Sequence, residues 1–144
     1  MRTLSTVLIG LFLSFNVHAF TPKDLEGSWS DSYKIDKKAD TCMQHSITLD
    51  AGKFTAYMRV WNNFLCTGTP QEAKFEGTYS VGPMLTNGTA EFDTDVLIVP
   101  NPGRIVNYHV IKIEKDLLYI TVGTQDPHER DTDFAKGELL RRVR

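Results

Sequence analysis

The sequence lacks a surplus of positive charge and lacks the biased composition of fibrous or disordered chains. Its 144 residues include 16 Lys and Arg against 18 Asp and Glu, which gives a formal net charge of -2. No basic stretch dominates, so no nucleic-acid partner is predicted. Glycine and proline are few, with 10 and 6 residues, and 41% of the chain is hydrophobic. These values exclude collagen-like and intrinsically disordered proteins and fit one ordinary domain.

Long apolar runs are also missing. The longest, residues 7–15, falls well short of the ~20 residues that a membrane-spanning helix needs, so no membrane span is predicted. This run follows Arg2 and precedes the small residue Ala19, which is typical of a secretory signal peptide. We therefore predict a signal peptide over residues 1–19 and a single mature domain over residues 20–144. The predicted location is periplasmic or secreted.

Cysteine is scarce, since the chain contains only Cys42 and Cys66. An even number of cysteines in an oxidising compartment predicts one disulfide bond. The alternative, a reactive or metal-binding pair, is less favoured because the spacing has no CxxC character. The bond would close a loop of about 25 residues and contribute roughly 3 kcal/mol in the chain-entropy model.

Helical signals are equally rare. One short helical turn is predicted over residues 22–26, with Thr21 as its N-cap. The rest of the chain alternates apolar and polar residues between turns, most clearly over residues 72–81, and such alternation predicts strands with one buried face. About eight strands joined by short turns predict an all-β domain, a small antiparallel up-and-down barrel. A two-sheet sandwich with Greek-key connections is the alternative.

Three short segments resemble parts of small bacterial lipocalin-like (calycin) domains. They are an opening Gly27-Ser28-Trp29, a central Gly77-Thr78-Tyr79-Ser80-Val81, and a final strand that ends on arginines. The resemblance implies an eight-stranded barrel, a small bound ligand, and a late arginine that packs across the early tryptophan at the base. Here the tryptophan is Trp29, and the arginine is Arg141, Arg142 or Arg144. Such a guanidinium–indole contact contributes about 0.5–2 kcal/mol and marks the fold rather than a functional site.

Polar residues are predicted to face the inside of this barrel. If Ile111 and Ile113 point inward, strand alternation places Asn107 and His109 on the same face. Residues 29–35 are predicted as one strand that buries Tyr33 and Ile35 together with its other odd-numbered residues. The predicted ligand-binding residues are Asp31, His45, Tyr79, Asn107 and His109.

Two alternatives to this polar lumen stay open. A bulge would turn Val106, Tyr108 and Val110 inward instead and expose His109. Alternatively, the polar residues are hydrogen-bonded groups of a filled core. The acidic residues 126–133 do not follow the EF-hand spacing for calcium, so a solvated loop is predicted, with no metal site and no cofactor.

Two further segments carry candidate sites. The loop before Cys66 carries Trp61 and Phe64, which form either an exposed partner-binding tip or ligand portal, or a plug in the barrel mouth. Asn87 heads a glycosylation acceptor sequence, but Asn-Gly is also a favoured hairpin turn, and we prefer that interpretation.

Nothing in the sequence predicts an enzyme. No Gly-x-Ser-x-Gly elbow is present, and the carboxylate pairs Asp93/Asp95 and Asp131/Asp133 are expected on outer faces. The favoured hypothesis is a secreted or periplasmic protein that binds a small apolar or amphipathic ligand. The alternative is an extracytoplasmic protein-binding module such as an enzyme inhibitor, because small secreted barrels serve both roles.

Overall fold

The computed structural model describes residues 20–85, 88–99 and 103–144. The predicted signal peptide over residues 1–19 and the candidate glycosylation site Asn87 lie outside the described residues. Within the described ranges the chain forms one short helix and nine strands: α1 Pro22–Leu25, β1 Gly27–Ser30, β2 Lys34–Asp36, β3 Thr41–Asp50, β4 Lys53–Trp61, β5 Gln71–Met84, β6 Thr89–Val99, β7 Gly103–Glu114, β8 Leu117–Ile120 and β9 Glu138–Arg142.

The strands form one antiparallel sheet that closes on itself. From β3 to β9 each strand pairs with the next one along the chain, and β1 pairs with both β3 and β9. Eight of the described strands thereby form a closed barrel, and β2 is an extra strand beside β3. The predicted all-β up-and-down barrel is confirmed. Tight turns favour it: Asp50 pairs with Lys53 across Ala51 and Gly52, both of which have positive φ.

The strand predicted over residues 29–35 is interrupted. The four steps from Ser30 to Lys34 are matched by only three steps along β3. The extra residue is a bulge, and a one-residue shift of register turns the following side chains to the other face of the sheet. Tyr33 and Ile35, which we expected on the buried face, are therefore 51% and 54% exposed.

A packed core closes one end of the barrel around Trp29. The Trp29 indole is fully buried, and its Nε1–H donates to the Leu25 carbonyl over 2.8 Å. The guanidinium carbon of Arg142 lies 4.1 Å from the Trp29 ring centroid, so Arg142 is the arginine that packs across the tryptophan. Further buried apolar residues complete this core: Ile47, Leu49, Ala90, Phe92, Ile111, Leu118, Ile120 and Leu140.

Gly27 is required where the chain approaches Arg142. Its φ of +121° is a conformation that residues with a Cβ rarely adopt, and a Cβ there would lie 3.0 Å from Arg142 Nη1. The same Nη1 donates to the Glu26 carbonyl over 2.7 Å. The Gly-x-Trp pattern therefore places both its glycine and its tryptophan beside the Arg142 guanidinium.

The predicted disulfide bond between Cys42 and Cys66 is present, with an S–S distance of 2.03 Å and a Cα–Cα distance of 5.3 Å. Cys42 lies near the start of β3 and is fully buried, whereas Cys66 lies in the loop after β4. The bond therefore ties this long loop to the barrel wall.

Candidate functional site

Away from the base, the barrel encloses a cavity of about 330 Å³. Ligand sites of small molecules span about 300–1,000 Å³, so this cavity has room for one small molecule. Most of its wall is apolar, contributed by inward-facing residues of six strands: Ile47, Phe54, Ala56, Met58, Phe75, Phe92, Val96, Ile98, Ile105 and Ile120.

Polar side chains interrupt this lining on the wall formed by β6 and β7. Thr94 lies opposite Asn107, and Phe92 lies opposite His109; all four side chains line the cavity. The β6–β7 pairing runs without a bulge from Gly103 to Lys112. The alternative in which a bulge turns the even-numbered residues of β7 inward is therefore not adopted. Strand alternation therefore places a short polar strip inside an otherwise apolar wall.

His109 is held in one orientation by the segment that follows β8. Its Nδ1 lies 2.9 Å from the Thr121 carbonyl oxygen. A carbonyl only accepts hydrogen bonds, so Nδ1 carries the proton. Burial lowers the pKa of His109, which leaves the ring neutral at pH 7 and Nε2 with a free lone pair. Gly123 makes room for this ring, because a Cβ there would lie 2.6 Å from Cε1 of His109.

His45 has the opposite environment. Its Nδ1 lies 2.7 Å from Oε1 of Glu138, and both side chains line the cavity. β3 and β9 both pair with β1, which brings these two residues together from distant parts of the chain. The hydrogen bond to Glu138 is the largest cause that raises the pKa of His45, and the same bond lowers the pKa of Glu138. Both shifts favour the form of the pair in which His45 is an imidazolium and Glu138 a carboxylate.

Asp31 and Lys34 contact the His45–Glu138 pair. Asp31 is buried, with a side chain only 4% exposed. Its Oδ1 accepts a hydrogen bond of 2.7 Å from the His45 backbone N–H. Nζ of Lys34 lies 3.2 Å from Asp31 Oδ2 and 3.6 Å from Glu138 Oε1. Two acidic and two basic groups thus form a cluster that is electrically balanced when His45 is protonated.

The two histidines stand on opposite walls of the barrel. β3 and β7 are separated by β4, β5 and β6 in one direction and by β1, β9 and β8 in the other. His45 therefore faces the cavity from one side in surroundings that favour its imidazolium form, and His109 faces it from the other side in surroundings that favour its neutral form. The Glu138 carboxylate acts electrostatically on both rings.

The structure brings three of the five predicted ligand residues together. His45, Asn107 and His109 line the cavity, whereas Asp31 and Tyr79 do not. Asp31 instead caps the backbone of β3. The Tyr79 ring packs against the core at the base, and its centroid lies 5.6 Å from that of the Phe92 ring.

Sequence reasoning missed Glu138 and Thr94 as lining residues. Alternation carries signals for both, because Glu138 shares a strand face with buried Leu140, and Thr94 lies between inward-facing Phe92 and Val96. A lone threonine or glutamate within a strand gives no local sign of the residue that it faces. The pairing of Glu138 with His45 follows only from barrel closure.

Trp61 ends β4 and Phe64 lies in the loop that follows; neither side chain lines the cavity, so they do not form the predicted plug in the barrel mouth. Trp61 is buried, and its Nε1–H donates to the Gly68 carbonyl over 3.1 Å. Phe64 is exposed, and its neighbour Leu65 is 66% exposed. Tyr33 packs edge-on against Trp61 with ring centroids 5.5 Å apart. Trp61 therefore anchors the loop, and Phe64 lies at its surface.

The acidic segment over residues 126–133 forms hydrogen bonds within itself and to the barrel wall. The Asp126 and Asp131 carboxylates accept hydrogen bonds from backbone N–H groups within two residues. Arg130 of this segment reaches across the barrel wall, and its Nη1 donates to Asp93 Oδ1 over 2.6 Å. Within residues 20–85, 88–99 and 103–144, no three His, Cys, Asp or Glu side chains are arranged to hold a metal ion.

The chain is thus a closed antiparallel barrel with one disulfide and an internal cavity that is apolar except for two histidine-bearing walls. No known protein-family model matches this sequence, and a search of curated proteins finds no similar sequence. In the part of the chain that the structure describes, no helix has the length and hydropathy required to cross a membrane.

Proposed function

We propose that this protein binds one small apolar or amphipathic molecule outside the cytoplasm, as a lipocalin-like barrel. The observation that carries the proposal is the cavity of about 330 Å³. Its apolar walls would bury most of a small ligand, and a few convergent polar groups would fix the orientation of that ligand. The proposal assigns no catalytic step to the protein.

Two features support the compartment and the family. A disulfide between Cys42 and Cys66 is typical of secreted or periplasmic proteins. The contact between Arg142 and Trp29 corresponds to the closure of the base that the lipocalin-like resemblance implies.

Titration with an uncharged fluorescent dye, N-phenyl-1-naphthylamine, tests the binding function. We expect saturable binding of one dye per chain, because the cavity excludes water from the dye. Ala56→Phe fills the cavity from β4 and should abolish this binding. Thr55→Phe adds the same ring on the opposite face of the same strand and should leave binding intact.

Two results would contradict the proposal: dye binding that does not saturate, or equal binding by both phenylalanine variants. Circular dichroism and thiol titration must first show that each variant is folded and has its disulfide bond.

The exposed surface around the disulfide favours a second candidate function. Tyr33, Ile35 and Leu65 are large apolar side chains more than half exposed. Ile35 pairs with Cys42, Leu65 precedes Cys66, and Tyr33 packs on Trp61 of the same face. Such a patch would suit an extracytoplasmic protein partner. Changing Tyr33 and Leu65 to serine should weaken association with such a partner and leave dye binding unchanged; loss of dye binding instead would argue against two separate surfaces.

A further inference from the structure

The polar groups of the cavity have unused hydrogen-bonding atoms. Within the described ranges the rings of His45 and His109 form hydrogen bonds only through Nδ1, and the Asn107 amide forms none. Among buried side-chain N and O atoms in these ranges, only Asp31 Oδ2 lacks a hydrogen-bond partner. The free atoms of the two histidines and of Asn107 are therefore not sealed inside protein but open to the cavity that they line.

The His109 wall accepts a hydrogen bond. Nδ1 of His109 donates to the Thr121 carbonyl, so Nε2 of the neutral ring offers a lone pair and no proton. A ligand group that meets this atom must carry a hydrogen to donate. A carboxylate or a phosphate dianion has no such hydrogen.

The His45 wall donates a hydrogen bond. Nδ1 of His45 donates to Glu138 over 2.7 Å, and in the imidazolium form Nε2 carries the second proton. Asn107, which offers both an amide N–H and a carbonyl oxygen, lies next to His109 on the facing wall. A ligand group between the walls must therefore also accept a hydrogen bond.

The charges of the cavity are already balanced. His45 is paired with Glu138, and Lys34 lies 3.2 Å from Asp31. An anionic ligand would add a second negative charge beside the Glu138 carboxylate. A cationic ligand would meet the imidazolium and the nearby ammonium of Lys34. Desolvating an unpaired charge in an apolar cavity is costly, so these surroundings favour an uncharged ligand.

We infer that the ligand is a neutral molecule with a hydroxyl group, an alcohol or a phenol, on an apolar body. The hydroxyl would donate to Nε2 of His109 and accept from Nε2 of His45 or from the Asn107 amide. The apolar body would occupy the part of the cavity lined by Phe54, Phe75 and Ile98. This inference rests on the proposed function and specifies the class of ligand.

Three probes with the same ten-carbon chain test the inference on the folded, disulfide-bonded protein at neutral pH: 1-decanol, decanoate and decylamine. Isothermal titration calorimetry, or displacement of the fluorescent dye, gives the three dissociation constants. We expect decanol to bind about three- to tenfold more tightly than either charged probe, which corresponds to one hydrogen bond gained without a buried charge.

A variant comparison assigns the hydroxyl to His109. His109→Phe keeps an aromatic ring beside Phe92 but removes Nε2, so decanol should bind about three- to tenfold more weakly and decanoate should bind as before. His128→Phe, a change at an exposed loop histidine, is the matched control and should leave all three constants unchanged.

The outcomes separate this inference from the proposed function. If decanoate or decylamine binds as tightly as decanol, or if His109→Phe leaves decanol binding unchanged, the inferred ligand class is wrong while small-ligand binding stands. If none of the three probes binds the wild-type protein, the proposed function itself fails. If His109→Phe does not fold, decyl methyl ether replaces the variant, because it is neutral but has no hydroxyl hydrogen: it should bind the wild-type protein about three- to tenfold more weakly than decanol, and equal binding would contradict the inferred hydroxyl.

Discussion

His45 and His109 are the same residue type in one cavity, yet their surroundings change their proton affinities in opposite directions. Around His45 the Glu138 carboxylate stabilises the imidazolium, which outweighs the cost of partial burial. Around His109 burial dominates, and the Thr121 carbonyl and the more distant charges of Glu138 and Asp93 only partly offset it. A carboxylate at hydrogen-bond distance thus decides which histidine is charged.

This contrast predicts two separate titrations. We expect the His45 ring to titrate with a pKa above its ordinary value of 6.5 and the His109 ring with a pKa below it. NMR of the imidazole resonances against pH measures both. Glu138→Gln removes the carboxylate and should lower the pKa of His45, whereas Glu72→Gln, on the outer face of β5, should not. The reverse order of the two titrations would contradict the assigned protonation states.

Stability should depend on pH through the same residues. The lowered pKa of His109 means that, as pH falls through and below about 6.5, the unfolded chain takes up a proton that the native ring resists, so the free energy of unfolding decreases. The raised pKa of His45 has the opposite effect on pH dependence. Its contribution to the free energy of unfolding is complete below about pH 6.5 and is lost as pH rises through the pKa of the native ring.

His109→Phe should therefore make the free energy of unfolding fall less steeply as pH decreases through and below about 6.5. Glu138→Gln should reduce the decrease that accompanies rising pH above about 6.5. Chemical denaturation at a series of pH values measures both slopes. An unchanged slope below about pH 6.5 in His109→Phe would show that another group controls it.

We expect the addition of a single methyl group at Gly27 to lower the free energy of unfolding. Gly27→Ala introduces a Cβ at φ +121° and 3.0 Å from Arg142 Nη1, and such strain costs about 1–3 kcal/mol. Gly103→Ala is the control, because its φ is not positive and its Cβ would meet Ile98 at an ordinary 3.7 Å. Thermal unfolding compares the two, and equal melting temperatures would mean that the turn at Gly27 relaxes freely.

At the scale of elements, Arg130 fixes the segment between β8 and β9. Besides Asp93, its guanidinium contacts the His109 carbonyl at 3.0 Å, and its carbon lies 5.1 Å from the Tyr108 ring centroid. The side chain is only 11% exposed. Arg130 thereby fixes the segment after β8, whose Thr121 carbonyl binds the His109 ring, to the outer face of β7.

Arg130→Met should lower the free energy of unfolding by about 1–3 kcal/mol, because it leaves partly buried acceptors unpaired. It should also increase amide exchange in the segment after β8. Arg104→Met is the matched control: Arg104 pairs with Asp95 but is 68% exposed, and such surface ion pairs contribute little to stability. A loss as large in the control would contradict the role given to Arg130.

Local alternation was sufficient to predict most of the barrel, because each of the hairpins from β3 to β8 pairs neighbours in sequence. It failed over residues 29–35, where a bulge reverses the face of Tyr33 and Ile35. That bulge depends on Asp31, whose carboxylate takes a backbone N–H of β3. No short-range pattern reveals such a capping contact, and none reveals the partner of Glu138 across the closed barrel.

At the scale of the whole molecule, the disulfide adds stability without forming the cavity. Changing both Cys42 and Cys66 to serine should lower the free energy of unfolding by roughly 3 kcal/mol, and reduction of the wild-type protein should have a similar effect. Dye binding should persist where the variant is folded, because neither cysteine lines the cavity. An equal melting temperature with and without reductant would overturn the stabilising role of the bond.

Closure of the barrel joins the first and the last strand of the described residues, β1 and β9. Arg142 donates to the Glu26 carbonyl across a separation of 116 residues, and the backbone N–H of Val143 donates to the Ser28 carbonyl. Until β9 pairs with β1 and β8, the strand edges that it covers stay unpaired. Because contacts between distant residues form slowly, we expect the pairing of β1 with β9 to form late, and edge-to-edge aggregation competes with folding until it does.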